Sequence, residues 1–517
     1  NPQDYEGNNG LAKLVWDHGP DKVLLTGEYF HRSTDTTLRN DVGGSASYIF
    51  SMVPMRMTRG AFTGSTADDT ATRWRVSLEH AHDAPIGFID HIDWRLYGTQ
   101  LDREEKRTRN ARIATSTSPL FTAGTGLRET TSNESKQTIV GGAVNLRSDT
   151  QLFGLRNSIS YGIGVDSIRT ERMRDVTLTN LATGATTKSY NGDTYPSRTF
   201  PNTDTLMASA YVQDEITIDR LRLVPALRLD YYRMDPDKDA AYFAARPSTQ
   251  PEALDKLALS PKFGATYDLT REFALFGQYA HGFRAPPYDD ANLGFSNPTY
   301  GYEVLPNADL KPETSDGVEA GLRGKFSDGS SFQVSSFYNR YSDFILQKAV
   351  GTGAGGILRY QAQNVSKVEI FGAEGKGEWR FQPGWALFGA AAFARGFDID
   401  AGTAIDEVAP FTVNAGLSYT APDDVWGAQV AATHVMAKTA SDVSNPTYLK
   451  APAYTTVDLA AYVNPTENIS LGTSVYNLFN QGYYNYVNVV GVSETSPDRR
   501  RYLEAGRSFL VHATLKW

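Results

Sequence analysis

The carboxy-terminal segment 506–517 alternates between apolar and mostly polar residues, and this alternation constrains the fold more than any other feature. Between the apolar positions lie His512, Thr514 and Lys516. A tilted strand of about ten such residues is long enough to cross a bilayer. The segment therefore predicts a membrane-crossing β-strand whose apolar face carries Phe509, Val511, Ala513, Leu515 and Trp517.

Composition agrees with a chain that crosses a membrane by strands and not by helices. The mean hydropathy of the 517 residues is -0.39, and the longest apolar run, 385–394, is too short for a spanning helix. A β-barrel removes the conflict, because lipid-facing and lumen-facing residues alternate in each strand. The chain has no cysteine, which excludes disulfides and thiolate metal sites. A net charge of -9 argues against nucleic-acid binding.

Period-2 segments recur along the whole chain, whereas sustained helical periodicity is scarce. We predict an all-β fold, a transmembrane antiparallel β-barrel that forms a single domain over residues 1–517, with about 19 strands. The predicted strand centres lie near residues 14, 27, 77, 93, 141, 162, 211, 227, 263, 278, 320, 336, 372, 390, 414, 431, 458, 473 and 512.

The connections between these segments alternate between short and long. Outer-membrane barrels have short periplasmic turns and long extracellular loops, so this asymmetry orients the chain. Because the count is odd, the first strand descends towards the periplasm like the last. We therefore expect an odd number of strands upstream, although one miscounted strand is the alternative. The predicted long loops cover approximately 33–71, 99–135, 169–204, 234–257, 283–314 and 478–506.

Several motifs resemble those of one membrane-protein family. Residues 279–315 read YAHGFRAPPYDDANLGFSNPTYGYEVLPNADLKPETS, and residues 475–486 read VYNLFNQGYYNY. The first stretch resembles the FRAP and NPNL boxes of TonB-dependent outer-membrane receptors for haem and haemoproteins. The resemblance continues through QNVSKVEIFGAEGKGEW (363–379) and AGRSFLVHATLKW (505–517).

The resemblance implies a 22-stranded barrel, filled by an N-terminal plug and energised from the inner membrane through TonB. Subtracting the predicted number of about 19 strands from the family's 22 leaves about three upstream strands. Three is an odd number, as the orientation of the first strand requires. The plug, the first strands and the TonB box are not in these residues.

The family's haem-iron ligand is a histidine between the two boxes, but residues 287–306 contain none. Tyr288, Tyr300 and Tyr302 lie in this interval, and tyrosinate is an accepted axial haem ligand. The alternative is that these tyrosines pack the loop. His31 and His434, near predicted extracellular strand ends, are further candidates for the iron ligand.

Two polar residues of the boxes are candidates for ligand binding. Arg284 of the FRAP box and Asn307, which begins the segment 307–313, could bind haem propionates or a protein surface. The alternative, that they organise the loop, has equal weight.

The leading interpretation is a bacterial outer-membrane receptor for iron transport that takes up haem from a haemoprotein. Its expected partners are the TonB complex, the haem or haemoprotein, and outer-membrane lipid; haem is cargo, and no intrinsic cofactor is expected. A ferric siderophore receptor of the same superfamily is the alternative, and a passive porin or adhesin is a weaker one. No phosphate loop or nucleophile elbow is present, so we expect no enzymatic activity.

Overall fold

The chain forms one large antiparallel sheet in a computed structural model, which describes residues 2–52, 54–237, 239–245, 251–292, 294–297, 301–353, 356–365, 367–496 and 499–516. In this part of the chain no helix is long and apolar enough to span a membrane. The long strands are β1 (Gln3–His18), β2 (Asp21–Thr37), β3 (Met55–His82), β4 (His91–Ser116), β5 (Gly126–Leu152), β6 (Leu155–Asn180), β7 (Thr203–Ile218), β8 (Leu221–Pro236), β9 (Leu254–Asp268), β10 (Phe273–Arg284), β11 (Glu313–Lys325), β12 (Ser331–Ser342), β13 (Val368–Gln382), β14 (Trp385–Asp398), β15 (Thr412–Thr420), β16 (Trp426–Val435), β17 (Tyr454–Thr466), β18 (Ile469–Tyr476) and β19 (Ser508–Leu515).

Each long strand pairs with the next one along the chain, so the sheet is an up-and-down meander. The prediction of about 19 strands is confirmed, because every predicted centre falls inside one of these strands. β1 pairs with β2 and β19 with β18, and the ladders of the described residues join β1 and β19 at no point. The long connections contain further short strands: Ser45–Met52, Thr186–Thr187, Ser189–Tyr190, Asp193–Thr194, Phe295–Asn297, Tyr302–Leu305, Phe344–Thr352, Leu358–Val365 and Thr403–Ala404.

The two faces of the sheet differ in chemistry. Arg95, Tyr97 and Asp166 border one cavity, so the face they share is the inner one. Trp94 and Leu96 alternate with them on the outer face, where Leu96 is 57% exposed. A polar interior and an apolar exterior are the arrangement of a membrane barrel with an aqueous lumen.

Four strands are much longer than predicted. β3 to β6 run for 28, 26, 27 and 26 residues, so most of the predicted loops 33–71, 99–135 and 169–204 is strand. The loop prediction was wrong here because polar residues occupy both faces, which removes the apolar alternation. β7 begins at Thr203 opposite Thr170 of β6, so residues 171–180 extend beyond the rim by about 33 Å. We call the projecting parts of β3 to β6 the tall wall.

A continuous row of aromatic rings follows the edge of the short turns. The centroid distances between successive rings are 5.4, 6.5, 4.9 and 5.0 Å. Amphipathic rings prefer the boundary between lipid and water, so this row marks one membrane interface. The row is made of Trp379, Phe381, Trp385, Tyr419 and Trp426.

The nine long connections at the opposite edge pack into three groups, each with its own contacts. Group one (38–54, 117–125 and 181–202) encloses an apolar core that includes Tyr48, Phe121 and Tyr190. Group two consists of 237–253, 285–312 and 343–367 and encloses Met234, Leu254, Ala291, Leu310, Ile345 and Ala362. It also contains the helices α1 (Ala240–Ala245) and α2 (Tyr288–Asn292).

Group three consists of 399–411, 436–453 and 477–507. Leu449 and Tyr486 belong to its small apolar core. The buried ammonium of Lys438 joins the three connections, because it donates to the Val408 carbonyl at 2.5 Å and lies 4.4 Å from the centre of the Tyr486 ring. The described long connections therefore pack against one another in groups through their side chains.

Candidate functional site at the mouth

The FRAP box turns the chain out of the sheet at the top of β10. β10 ends at Arg284, and Pro286 and Pro287 lack the N–H donors that would continue the ladder. The Pro287 carbonyl accepts from the N–H groups of Asp290 and Ala291 at 3.1 Å each, which starts α2. The sequence expectation that this box begins a long connection is therefore confirmed.

Arg284 projects into solvent while Glu313 anchors it. Arg284 Nη1 donates to Glu313 Oε2 at 2.8 Å, and the side chains are 63% and 7% exposed, respectively. Glu313 Oε1 also accepts from the backbone N–H of Ile345 at 2.8 Å. One buried carboxylate thus ties β10, β11 and the connection 343–367 together, and leaves most of the guanidinium accessible.

Tyr288 is half-buried beneath the mouth, packed against the apolar core of group two. Its hydroxyl donates to the Pro201 carbonyl at 2.6 Å, and its ring lies 5.4 Å from that of Phe200. Burial raises the pKa of the Tyr288 phenol. In this arrangement Tyr288 is therefore a neutral, hydrogen-bonded packing residue and not an exposed tyrosinate.

The remaining residues of this loop differ in their surroundings. Tyr302 starts a short strand that runs parallel to Leu358–Val365, and its ring lies 6.1 Å from that of Tyr360 in an edge-on arrangement. Tyr302 is half-buried. Tyr300 lies outside the described residues.

Asn307 makes three hydrogen bonds within the loop. Its Nδ2 donates to the Ala362 carbonyl at 2.7 Å, and its Oδ1 accepts from the Asp309 N–H at 3.0 Å. Its own N–H donates to the Ala291 carbonyl at 3.0 Å. These bonds support the interpretation of Asn307 as a residue that organises the loop.

The two candidate histidines lie on the outer face of the sheet, opposite to the face that lines the lumen cavity. His31 shares its face with Leu25 and Tyr29, and His434 shares its face with Val430. In each, Nδ1 lies 2.9 Å from a threonine Oγ1 of the neighbouring strand, Thr72 for His31 and Thr455 for His434. The structure does not bring either histidine together with Arg284 or Tyr302.

A lumen cavity of about 750 Å³ lies beneath the FRAP box. Tyr97 donates to Asp166 at 2.6 Å, and Arg228 binds Asp230 of its own strand at 2.7 Å. Sequence reasoning missed these residues because they are ordinary polar members of alternating strands. The cavity is lined by Arg95, Tyr97, Asp166, Arg228 and Arg284, among others.

Within the described part of the chain, no group of three or more His, Cys, Asp or Glu side chains could hold a metal ion. The described side chains at the mouth include an exposed guanidinium, an amide that bonds within the loop and a tyrosine ring in aromatic contact.

The family is shown by comparison with known proteins. Residues 15–478 match the family model described as "TonB dependent receptor-like, beta-barrel". The match covers most of the chain, and the chain therefore belongs to the TonB-dependent receptor β-barrel family, which confirms the resemblance seen in its motifs.

Curated relatives are similar over part of their length. Haemoglobin-haptoglobin utilization protein B of Neisseria meningitidis serogroup C is 28% identical over 56% of this chain and 41% of its own length. Haemoglobin and haemoglobin-haptoglobin-binding protein A of Haemophilus influenzae is 29% identical over 44% of this chain and 23% of its own length. The chain thus spans less than half the length of these relatives.

Solved structures share the fold. The copper transporter OprC superposes with a TM-score of 0.66 at 15% identity, and covers 99% of this chain and 79% of its own. The FrpB iron transporter from Neisseria meningitidis gives a TM-score of 0.61 at 12% identity over 100% of this chain and 80% of its own. These likenesses extend the barrel assignment to nearly every residue.

Proposed function

We propose that this chain forms the barrel wall and mouth of a bacterial outer-membrane receptor that imports haem taken from a haemoprotein, with energy from TonB. The carrying observation is the Arg284 guanidinium, which Glu313 holds at the mouth and which stays 63% exposed above the lumen cavity. Haem presents two carboxylates, and guanidinium groups bind carboxylates with paired hydrogen bonds.

The relatives support the ligand class. One is named for haemoglobin-haptoglobin utilization and the other for haemoglobin and haemoglobin-haptoglobin binding, and their similarity covers 56% and 44% of this chain, respectively. Family membership supports the proposed outer-membrane location and the proposed TonB partner. Import of this kind needs no covalent chemistry; specificity lies in loops that a rigid scaffold carries.

Tyr302 is our proposed axial iron ligand among the described tyrosines of the loop. Tyr288 is a weaker choice, because its hydroxyl is committed to the Pro201 carbonyl and burial raises the pKa of its phenol. Tyr302 lies in the connection 285–312, which begins directly after Arg284, so one haem would contact both residues after a local movement of this connection.

Absorption titration of the full receptor with haemin tests the proposal. We expect a saturable Soret shift, a rise of about tenfold in Kd for Arg284→Gln, which corresponds to about 1.4 kcal/mol, and a changed band shape for Tyr302→Phe. Arg222→Gln is the matched control, since Arg222 pairs with Asp268 near the short turns. A receptor that gives no Soret shift would overturn haem as the ligand and leave a ferric siderophore as the next ligand to test.

A further inference from the structure

Arg172 of β6, in the tall wall, lies where loop groups one and two meet, near a second ion pair between the groups, Arg198 with Asp239 at 3.2 Å. Arg172 Nη1 lies 3.0 Å from Asp289 Oδ1 in α2. Asp289 is 117 residues away in sequence, so the ion pair joins two distant connections. Exposed ion pairs contribute little alone, and the other contacts of Arg172 decide its importance.

The guanidinium also lies against two aromatic rings. Its central carbon is 4.8 Å from the Phe200 ring centre and 5.3 Å from the Tyr288 ring centre. The two rings are 5.4 Å apart, at 30° to each other. Phe200 belongs to group one and Tyr288 to group two, so a single planar cation contacts both groups.

Hydrogen bonds to backbone carbonyls lie beside this contact. The Tyr288 hydroxyl donates to the Pro201 carbonyl at 2.6 Å, and the Gly294 N–H donates to the Thr199 carbonyl at 3.2 Å. Arg198 Nη1 donates to the Arg172 carbonyl at 2.8 Å, which holds the 181–202 connection on β6. The contact between the groups therefore has an ionic, an aromatic and a backbone component.

The position of α2 makes this contact relevant to the mouth. α2 begins at Tyr288, four residues after Arg284, and the Glu313 carboxylate fixes the other side of Arg284. Movement of α2 away from residues 199–201 would move the end of the FRAP box. We call Arg172, Phe200, Tyr288 and Asp289 the latch.

We infer that Arg172 is a positioning residue for ligand capture. Through the latch it holds α2 against the 181–202 connection, so that loop groups one and two respond to a ligand as one body. The inference rests on the proposed haem function for its ligand, but the latch itself is independent of the ligand's identity.

Substitution of Arg172 in the full receptor is the first test. For Arg172→Met we expect a haem dissociation rate about tenfold higher and faster hydrogen exchange in residues 197–202 and 285–292 of the ligand-free receptor. Arg172→Lys keeps the charge but loses the planar contact with two rings, so it should recover less than half of the loss. Arg128→Met is the matched control, because Arg128 contacts Asn110 on the same wall.

A cross-link separates positioning from direct contact with the ligand. The chain has no cysteine, so Thr199→Cys with Gly294→Cys would introduce a unique pair at a point of backbone contact. In the Arg172→Met background, the oxidised pair should restore the dissociation rate to within about threefold of the parent, and the reduced pair should not. Failure of the oxidised pair to rescue would show that Arg172 acts on the ligand itself, and would overturn the inference.

Barrel assembly, haem binding and hydrogen exchange are measured separately, so that failure of the proposed function can be told apart from failure of the latch. Heat-modifiable gel migration reports whether each variant has an assembled barrel. Absence of haem binding by the parent receptor would defeat the proposed function, whereas unchanged exchange in Arg172→Met would defeat the latch whatever the ligand.

Discussion

Arg284 and Glu313 face each other across β10 and β11, with the buried carboxylate holding the exposed guanidinium at 2.8 Å. The carboxylate also binds the N–H group of Ile345. Since a buried acceptor with two donors is costly to remove, Glu313 is the structural centre of the mouth and Arg284 is its accessible end.

Glu313→Ala should loosen the loop without unfolding the barrel. The substitution leaves the Ile345 N–H without its acceptor, a local cost of about 1–3 kcal/mol. Limited proteolysis should cut the connection 343–367 faster, and heat-modifiable migration should be unchanged. Glu272→Ala, at a short turn, serves as the control. Equal protease resistance of the two variants would contradict the assigned role of Glu313.

His31→Gln and His434→Gln should leave haem binding unchanged within about twofold, which is less than 0.5 kcal/mol. Both histidines lie on the outer face and contact threonines of neighbouring strands. Soret titration of each variant is the measurement. Loss of the Soret shift in the His31→Gln or the His434→Gln variant would contradict this expectation and identify the substituted histidine as a candidate iron ligand.

Loop group three should lose stability at high pH through Tyr486. Burial, with the nearby carboxylates of Asp406 and Glu407, raises the pKa of Tyr486 from 10.0 to about 12. Between these values the folded loop keeps a proton that the unfolded loop releases, so the stability is fully present below pH 10 and falls as the pH rises. The loss approaches roughly 2–3 kcal/mol by pH 12, at 1.36 kcal/mol for each pKa unit.

Comparison with Tyr486→Phe isolates this effect. The difference in tyrosinate absorbance between the parent and the variant should titrate near pH 12. The protease resistance of residues 477–507 should fall more steeply with pH in the parent than in the variant. A difference spectrum that titrates near pH 10 would contradict the expected shift.

Trp385→Ala should destabilise the barrel at its short-turn edge. The Trp385 ring lies 6.5 Å from that of Phe381 and 4.9 Å from that of Tyr419, so its removal interrupts the aromatic row. We expect a loss of about 1–3 kcal/mol in urea unfolding from lipid vesicles, with Trp385→Phe retaining most of the stability. If Trp385→Ala unfolds at the parent's urea concentration, the row does not anchor the barrel.

The strands were predictable from sequence because the bilayer imposes alternation on them. Leu227 and Leu229 must face lipid where Arg228 faces the lumen, and that rule holds wherever a strand crosses the membrane. Above the rim both faces of a strand contact water, so the alternation of apolar and polar residues is no longer required. Residues 102–106 of β4 are an example, because they have the composition of a loop. The predicted loop boundaries failed there for this reason.

The contacts of the candidate site depended on distant partners. The hydroxyl of Tyr288 finds its acceptor 87 residues earlier in the chain, and Arg172 finds Asp289 117 residues later. Neither separation leaves a local signal in the sequence. Motif resemblance located the mouth, but it could not show that the Tyr288 hydroxyl bonds to a carbonyl of a distant connection.

The tall wall makes the rim lopsided. On one flank β6 continues for roughly 33 Å along its length past the start of β7, whereas on the other flank β13 to β19 have only 8 to 15 residues each. A small molecule can diffuse to Arg284 from any side. For a protein-sized ligand of the kind proposed above, the wall would obstruct approach from its own flank and so limit the orientations in which the ligand docks over the mouth.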